Sequence, residues 1–159
     1  MIKGKNKFFK KAFNWIIDIL EENDIPYQIT GGCAAHIYGS PRLINDIDID
    51  VPEKYLSLMA EKTKNFIVFG PKRFFNKKWD FQLLDLNYFG QEIELGSEKN
   101  MKIFDDKKKK WCCMPSNIKT ANTFEIFGRK IKVVNKNSLL EYKKLLNGDH
   151  QKLDIKFLL

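Results

Sequence analysis

Residues 44–51 read Ile-Asn-Asp-Ile-Asp-Ile-Asp-Val, an alternation of period two. That period belongs to a β-strand, whose successive side chains point to opposite faces. Ile47 and Ile49 therefore share one face, and Asp46, Asp48 and Asp50 share the other. The isoleucines need a core on their side, so the strand must lie in a sheet with one covered face. The carboxylates converge on the opposite side, where their mutual repulsion calls for a cation. A hard cation such as magnesium takes oxygen ligands and binds through one or two carboxylates plus substrate phosphates, which makes Asp-x-Asp on a strand a candidate phosphoryl-transfer site. An EF-hand loop also opens on Asp-x-Asp-x-Asp, but it needs Gly at its sixth position and Glu at its twelfth. Here those positions are Val51 and Ser57, which excludes it.

The surrounding sequence supplies the rest of an α/β chain. Phe9, Phe13, Ile16, Ile17 and Leu20 recur at helical spacing within residues 6–22, and Asn23, Asp24 and Pro26 end that helix. A short strand over 27–30, a turn at Gly31 and Gly32, and a short helix over 33–38 follow, before Gly39, Ser40 and Pro41. A helix is expected over 53–65 after Pro52. Runs 81–88 and 92–97 read as a hairpin around Phe89 and Gly90, and runs 123–126 and 129–134 as another around Phe127 and Gly128. Leu139, Leu140, Leu145 and Leu146 mark a helix that Gly148 separates from a terminal one. These elements predict a mixed, strongly twisted sheet of about five strands with flanking helices. They predict a single domain over 1–159, with 135–159 as a short C-terminal helical lobe.

Composition narrows the partners. Hydrophobic residues make up 43% and charged residues 30% of the 159, which suits a globular chain. No apolar run approaches the roughly 20 residues that span a bilayer, so no membrane partner is expected. The basic start (Lys3, Lys5) is followed by apolar positions interrupted by Lys10, Lys11 and Asn14, unlike an export signal. Cys33, Cys112 and Cys113 form neither a disulfide framework nor a zinc spacing, and His36 and His150 lack a second ligand, so reduced thiols in the cytoplasm are expected. A net charge of +8 fits polyanionic partners, although a Lys-rich composition alone also gives it. Phe74, Phe75, Trp79 and Trp111 lie among Lys72, Arg73, Lys77, Lys78 and the lysines of 107–110, an arrangement that suits RNA and equally suits core packing with lysines reaching to solvent.

Upstream of the acidic strand, Thr30, Gly31 and Gly32 end one strand and open a helix, where backbone N–H groups can approach phosphate. Arg42, four residues before Asp46, can bind phosphate oxygens in bidentate fashion. A small glycine turn, a short helix and an acid-hydrophobic-acid strand within residues 31–48 resemble the signature of the DNA polymerase beta-like nucleotidyltransferase superfamily. The version with Gly and Arg ahead of the acids is most similar to small prokaryotic enzymes, including antibiotic-modifying and toxin-antitoxin types.

That resemblance implies a third carboxylate on a neighbouring strand after a Gly-containing turn. Glu94 takes that place, with Asp85 and Glu92 as alternatives, and Glu stands where the family more often has Asp. It implies magnesium or manganese held by Asp46, Asp48 and Glu94. A nucleoside triphosphate would be seated on Gly31, Gly32 and Arg42, beside C-terminal helices that carry a Lys and a Lys-hydrophobic-Asp segment (Lys152, Leu153, Asp154), with Lys143 reaching the triphosphate as a mobile charge and Lys152 contacting phosphate or acceptor. The activity implied is transfer of a nucleoside monophosphate to an acceptor hydroxyl with release of pyrophosphate. The acceptor stays open between tRNA or other RNA, a protein and a small molecule. The alternative is a catalytically inactive nucleotide- or RNA-binding module of the same fold.

Overall fold

The computed structural model describes residues 2–114 and 116–159. Helix α1 (Phe9–Glu22) buries Phe9, Ala12, Phe13, Ile16, Ile17 and Leu20, the stripe that its three-to-four spacing requires. It ends at Asn23, and Asp24 turns the chain with φ of 52°. Strand β1 (Gln28–Thr30) runs directly into α2 (Gly31–Ile37), so the expected glycine turn is the first turn of that helix. Strand β2 (Ile47–Val51) carries the alternating acids. The helix expected over 53–65 is broken into a 3-10 turn, α3 (Leu56–Lys62) and a second 3-10 turn.

Strands β3 (Ile67–Phe75), β4 (Trp79–Tyr88) and β5 (Gln91–Ser97) form an antiparallel meander. Strands β6 (Lys102–Asp105) and β7 (Lys110–Cys113) make a short hairpin whose turn is the lysine run, and β8 (Asn122–Ile126) pairs with β9 (Arg129–Val133) in another. Helices α4 (Lys136–Lys144) and α5 (Asp149–Leu158) close the described chain. The asparagine before α4 caps it: the Asn135 side chain accepts from the N–H groups of Asn137 and Ser138. No helix among the described residues is long and apolar enough to cross a membrane.

Among the described residues the sheet is mixed and has nine strands, not about five. Its order is β7-β6-β4-β5-β2-β1-β9-β8, with β5 and β6 sharing one edge of β4 and β3 along the other. The β1–β9 and β2–β5 pairs are parallel, and the others are antiparallel. The two expected hairpins stand close to their expected bounds. The additional strands have a physical reason for escaping notice. Strand β3 contains Gly70 and Pro71, residues that argue against a strand, and its pairing to β4 shifts register between Phe69 and Lys72 to accommodate them. Strands β6 and β7 are four residues each, too short to show a period.

Alternation gives the sheet two different faces. Ile47 and Ile49 of β2, Leu84 and Leu86 of β4, and Ile93 and Leu95 of β5 are fully buried in one cluster with the apolar stripe of α1. Leu139 of α4 and Leu158 of α5 join the same cluster, which ties the C-terminal helices to the sheet. Phe13 sits at the centre of this packing, with no exposed surface and with ring contacts to Phe9 and Phe127 of the β8–β9 turn. Truncating it to alanine is expected to cost about 3–5 kcal/mol, because the well-packed ring would leave a cavity. Urea unfolding of Phe13→Ala checks this, and a loss below about 1 kcal/mol would place Phe13 outside the essential core.

Candidate functional site

The face opposite the core carries the acids. In the parallel β2–β5 pair Asp48 stands beside Glu94, and in the antiparallel β5–β4 pair Glu94 stands beside Asp85. Asp48, Glu94 and Asp85 thus form one row across three strands, with Glu94 in the middle. One row further along, Asp50 stands beside Gly96 and Gly96 beside Leu83. Asp46 lies just before β2 and reaches the other neighbour on this face, Glu92. Carboxylate oxygens of Asp46, Glu92 and Glu94 lie within 4.8 Å of one another.

Crowding shows in the proton affinities. Burial, then the charge of Glu92, raises the Asp46 carboxyl to about 6. Burial, then the charge of Asp46, raises Asp48 to about 7. Glu94 rises furthest, to about 9, through burial followed by the charges of Asp48, Glu92 and Asp46. Burial also raises Asp50 to about 7, against the Gln28 amide, which donates to its Oδ2 at 2.8 Å. An all-oxygen donor set that converges at this spacing fits a hard divalent cation, which would reverse these shifts. Glu92, ranked behind Glu94 in the sequence, therefore joins the cluster; its place two residues before Glu94 on the same strand face was the available signal.

Gly31 and Gly32 are constrained by these side chains. Gly31 has φ of +61°, and a Cβ there would run into the Asp48 carboxylate. A Cβ on Gly32 would come within 2.8 Å of Nη2 of Arg42. The glycine pair thus lets an acid and a guanidinium press against the start of α2.

Arg42 is held by Asp154 of α5, to which its Nη2 donates at 2.6 Å and its Nε at 3.3 Å. Ser40 donates to Asp154 Oδ1 at 2.6 Å, and Nζ of Lys143 lies 3.0 Å from Oδ2 and 2.8 Å from Oε1 of Gln151. Asp154 has no exposed surface. Burial works to raise its carboxyl, but Arg42, Ser40 and Lys143 together hold it below the usual range. Lys143 is 2% exposed, and burial lowers its ammonium despite Asp154. The expected mobile lysine is therefore a fixed charge, because a buried ammonium must keep its carboxylate. Lys152 is not brought into this group: it is exposed, and two residues along a helix from Asp154 it faces away. Asp154 carries the whole arrangement, and only a Lys-hydrophobic-Asp resemblance pointed to it.

The raised acids make stability depend on pH with a defined sign. Between the ordinary carboxylate range of about 4 and the raised values of about 6, 7 and 9, the folded acids hold protons that the unfolded chain has released. Stability then falls as pH rises through that window. Metal-free protein is expected to melt lower at about pH 9 than at about pH 5, and magnesium or manganese should restore the loss at high pH. Melting curves with and without chelator check this; a flat metal-free profile would show that the acids do not repel as their spacing implies.

No family model matches the sequence, and no curated protein matches it. Solved structures do. TM1012 from Thermotoga maritima, a protein of nucleotidyltransferase type, is 20% identical with a TM-score of 0.73, over 91% of this chain and 87% of its own. The lincosamide antibiotic adenylyltransferase LnuA, solved with lincomycin bound, is 16% identical with a TM-score of 0.64, over 93% and 94%. ANT(2'')-Ia, solved with adenylyl-2''-tobramycin, is 12% identical with a TM-score of 0.59, over 93% and 86%. Identities this low speak for the fold, and the likeness spans nearly all of each chain. With the mixed sheet and five α-helices of its described residues, and these neighbours, the chain has the nucleotidyltransferase fold.

Proposed function

We propose that the chain is a metal-dependent nucleotidyltransferase that moves a nucleoside monophosphate from a triphosphate to an acceptor hydroxyl. The observation that carries this is one sheet face on which Asp46, Glu92 and Glu94 bring carboxylate oxygens within 4.8 Å of one another and Asp48 stands beside Glu94, next to Gly31, Gly32 and Arg42. The chain acts as one domain, with 135–159 as its C-terminal extension. Its three free cysteines suit the reducing cytoplasm.

Asp46, Asp48 and Glu94, joined by Glu92, are the residues that would hold magnesium or manganese. A metal held there would supply charge neutralisation on the phosphate oxygens and a lowered pKa for the acceptor hydroxyl. The chain's own groups do the positioning. Backbone N–H groups at Gly31 and Gly32 and the Arg42 guanidinium bind the triphosphate, and the fixed Lys143 charge lies behind Arg42 through Asp154. Glu94, central in the row, takes the acceptor proton on its carboxylate. A bond forms between the acceptor oxygen and the α-phosphorus, the bond from that phosphorus to the bridging oxygen breaks, and pyrophosphate leaves with the electron pair. Alignment and electrostatic stabilisation supply the rate. The adenylyl chemistry named for LnuA and ANT(2'')-Ia makes ATP the first triphosphate to try.

Asp48→Asn is expected to lower transfer on the order of 10²-fold or more while the fold persists, since it removes a ligand charge without removing packing. Labelled ATP offered with magnesium and pools of RNA, protein and small metabolites measures it; near-normal turnover in the folded variant would remove Asp48 from the site. ATP binding by wild type with no transfer to any pool would favour the inactive module.

Glu94→Gln should abolish the melting shift on adding metal, whereas Asp85→Asn, one strand further from Asp48, should keep most of it. The reverse order would exchange their roles. Gly32→Val should weaken ATP binding by displacing Arg42 from the start of α2, as read by calorimetry. Unchanged affinity would make the close approach purely structural.

A further inference from the structure

Strand alternation divides the aromatic and basic residues of 72–80 and 102–113 between the two sides of the sheet. Residues directly opposite each other on paired strands share a face. Trp79 stands against Ile103 and Ile103 against Cys112, a row on the acid side, where Trp79 joins Phe74, Phe81 and Tyr142 in lining a cavity of about 490 Å³. Phe75 stands against Asp80, Asp80 against Lys102 and Lys102 against Cys113, a row on the reverse side. Arg73 is in step with Phe75, and Phe104, paired with Trp111, is in step with Lys102, so all of these belong to that reverse side. The aromatics that the sequence leaves open between core and RNA therefore split: Phe74 and Trp79 turn to the cavity, and Phe75 and Trp111 turn away from it.

Further along β4 the reverse side is the core face, since Leu84 and Leu86 are in step with Asp80 and lie in the cluster with α1. At the hairpin tips the same side meets solvent: Phe75 is 59% exposed and Trp111 39%. The Trp111 ring lies 5.8 Å from that of Phe75 with the planes 26° apart, and 5.5 Å from that of Phe104 at 35°. Three rings from three strands thus align. Lys78 ties the two hairpin tips into one surface, its Nζ donating to the Phe104 carbonyl at 2.7 Å and to Asp106 at 3.1 Å. Aligned rings with open surface offer a platform that a flat base can extend.

Charge selects the occupant. Nine basic residues and three acids lie in 72–80 and 102–113. Each acid is already engaged: Asp80 by Arg73 at 2.7 and 2.8 Å, Asp106 by Lys78 and Asn147, and Asp105 by the N–H groups of Lys107 and Lys108. Among the described residues, no carboxylate pairs with Lys72, Lys77, Lys102 or the lysine run 107–110. The platform is therefore ringed by uncompensated positive charge, which favours a polyanion. A polyanion that also presents π faces is an unpaired nucleic-acid strand. An acidic protein surface brings charge without the faces, a duplex keeps its bases inside its own stack, and a second copy of this chain would meet the patch with the same sign of charge. In the reducing compartment that the free cysteines suit, such strands are RNA.

We propose that the reverse face of the β3–β4 and β6–β7 hairpin tips is a docking surface for single-stranded RNA, with bases stacked on Trp111 and Phe75 and phosphates held by the lysines around them. It lies on the opposite side of the sheet from the acids and does not rest on the transferase reading. Anisotropy of a short labelled oligoadenylate, titrated with the full chain without magnesium, tests it. The logarithm of the binding constant should fall with that of the salt concentration with a slope of about −2 to −3, as three or four neutralised phosphates give. Trp111→Ala and Phe75→Ala should each weaken binding about tenfold, and Trp111→Phe should keep most of it. All three should leave ATP affinity by calorimetry unchanged, with folding verified by circular dichroism. Replacing Lys107, Lys108 and Lys109 together by Gln should weaken binding and flatten the slope, whereas the same change at Lys54, Lys62 and Lys64, around α3, should do much less.

No binding at about 0.1 mM chain in low salt, unchanged affinity in Trp111→Ala, or equal losses from the two triple-lysine variants would overturn the proposal. So would a duplex RNA of the same length binding as tightly as the single strand. Capture by phosphatidylserine vesicles that oligoadenylate does not relieve would also overturn it, because the rings would then serve a lipid surface. A parallel loss of ATP and oligoadenylate affinity in Trp111→Ala would place the strand in the nucleotide site instead.

Discussion

The parallel pairing of β2 with β5 sets Asp48 directly beside Glu94, and the rest of the site follows from that one register. Like charges opposite each other on neighbouring strands are destabilising. They are tolerated because the same register pairs Ile47 with Ile93 and Ile49 with Leu95 on the other face, all of them buried. Each such side chain contributes about 1.5–3 kcal/mol on burial. A slip of one residue would put the isoleucines on the site face and the acids in the core, so the hydrophobic face locks the electrostatic one in place.

A second charge arrangement balances the first. Arg42 precedes β2, Lys143 lies on α4, and both are gathered by the buried Asp154 of α5. Removing one partner of such a group leaves an uncompensated buried charge, at about 3–5 kcal/mol. The C-terminal helices are therefore bound to the glycine turn by charge as well as by Leu139 and Leu158 in the core. Because Arg42 sits where a Cβ on Gly32 would be, this carboxylate also sets the position of the guanidinium at the start of α2.

Sequence charge and site charge point in opposite directions. Many of the lysines are exposed, and exposed aromatics such as Phe75, stacked on Trp111 and covered by Arg73, stand with them. The interior face is acidic and aromatic. A positive exterior attracts polyanions over distance, whereas a negative interior repels them unless a cation intervenes. Net charge alone, read as fitting polyanionic partners, averages over these two regions.

Local periodicity is enough to tell which residues share a face. From it the sequence alone determined α1, the acidic strand, both hairpins and the opposition of Ile47 and Ile49 to Asp46 and Asp48. Resemblance in residues 31–48 added the glycine, arginine and acid arrangement and pointed to Glu94. What periodicity does not carry is the identity of a neighbour across the sheet or across a helix contact. Only tertiary structure decided that Glu92 reaches Asp46, that Asp154 fixes Arg42 and Lys143, that Lys152 faces away, and that Trp79, Phe81 and Tyr142 enclose a cavity with Asp50 and Asp85. It also decided the number of strands, since Gly70 and Pro71 conceal β3 until β4 pairs with it. The reason is the same in each case: these contacts join residues far apart in sequence, and their energy comes from burial and charge pairing that no local segment contains.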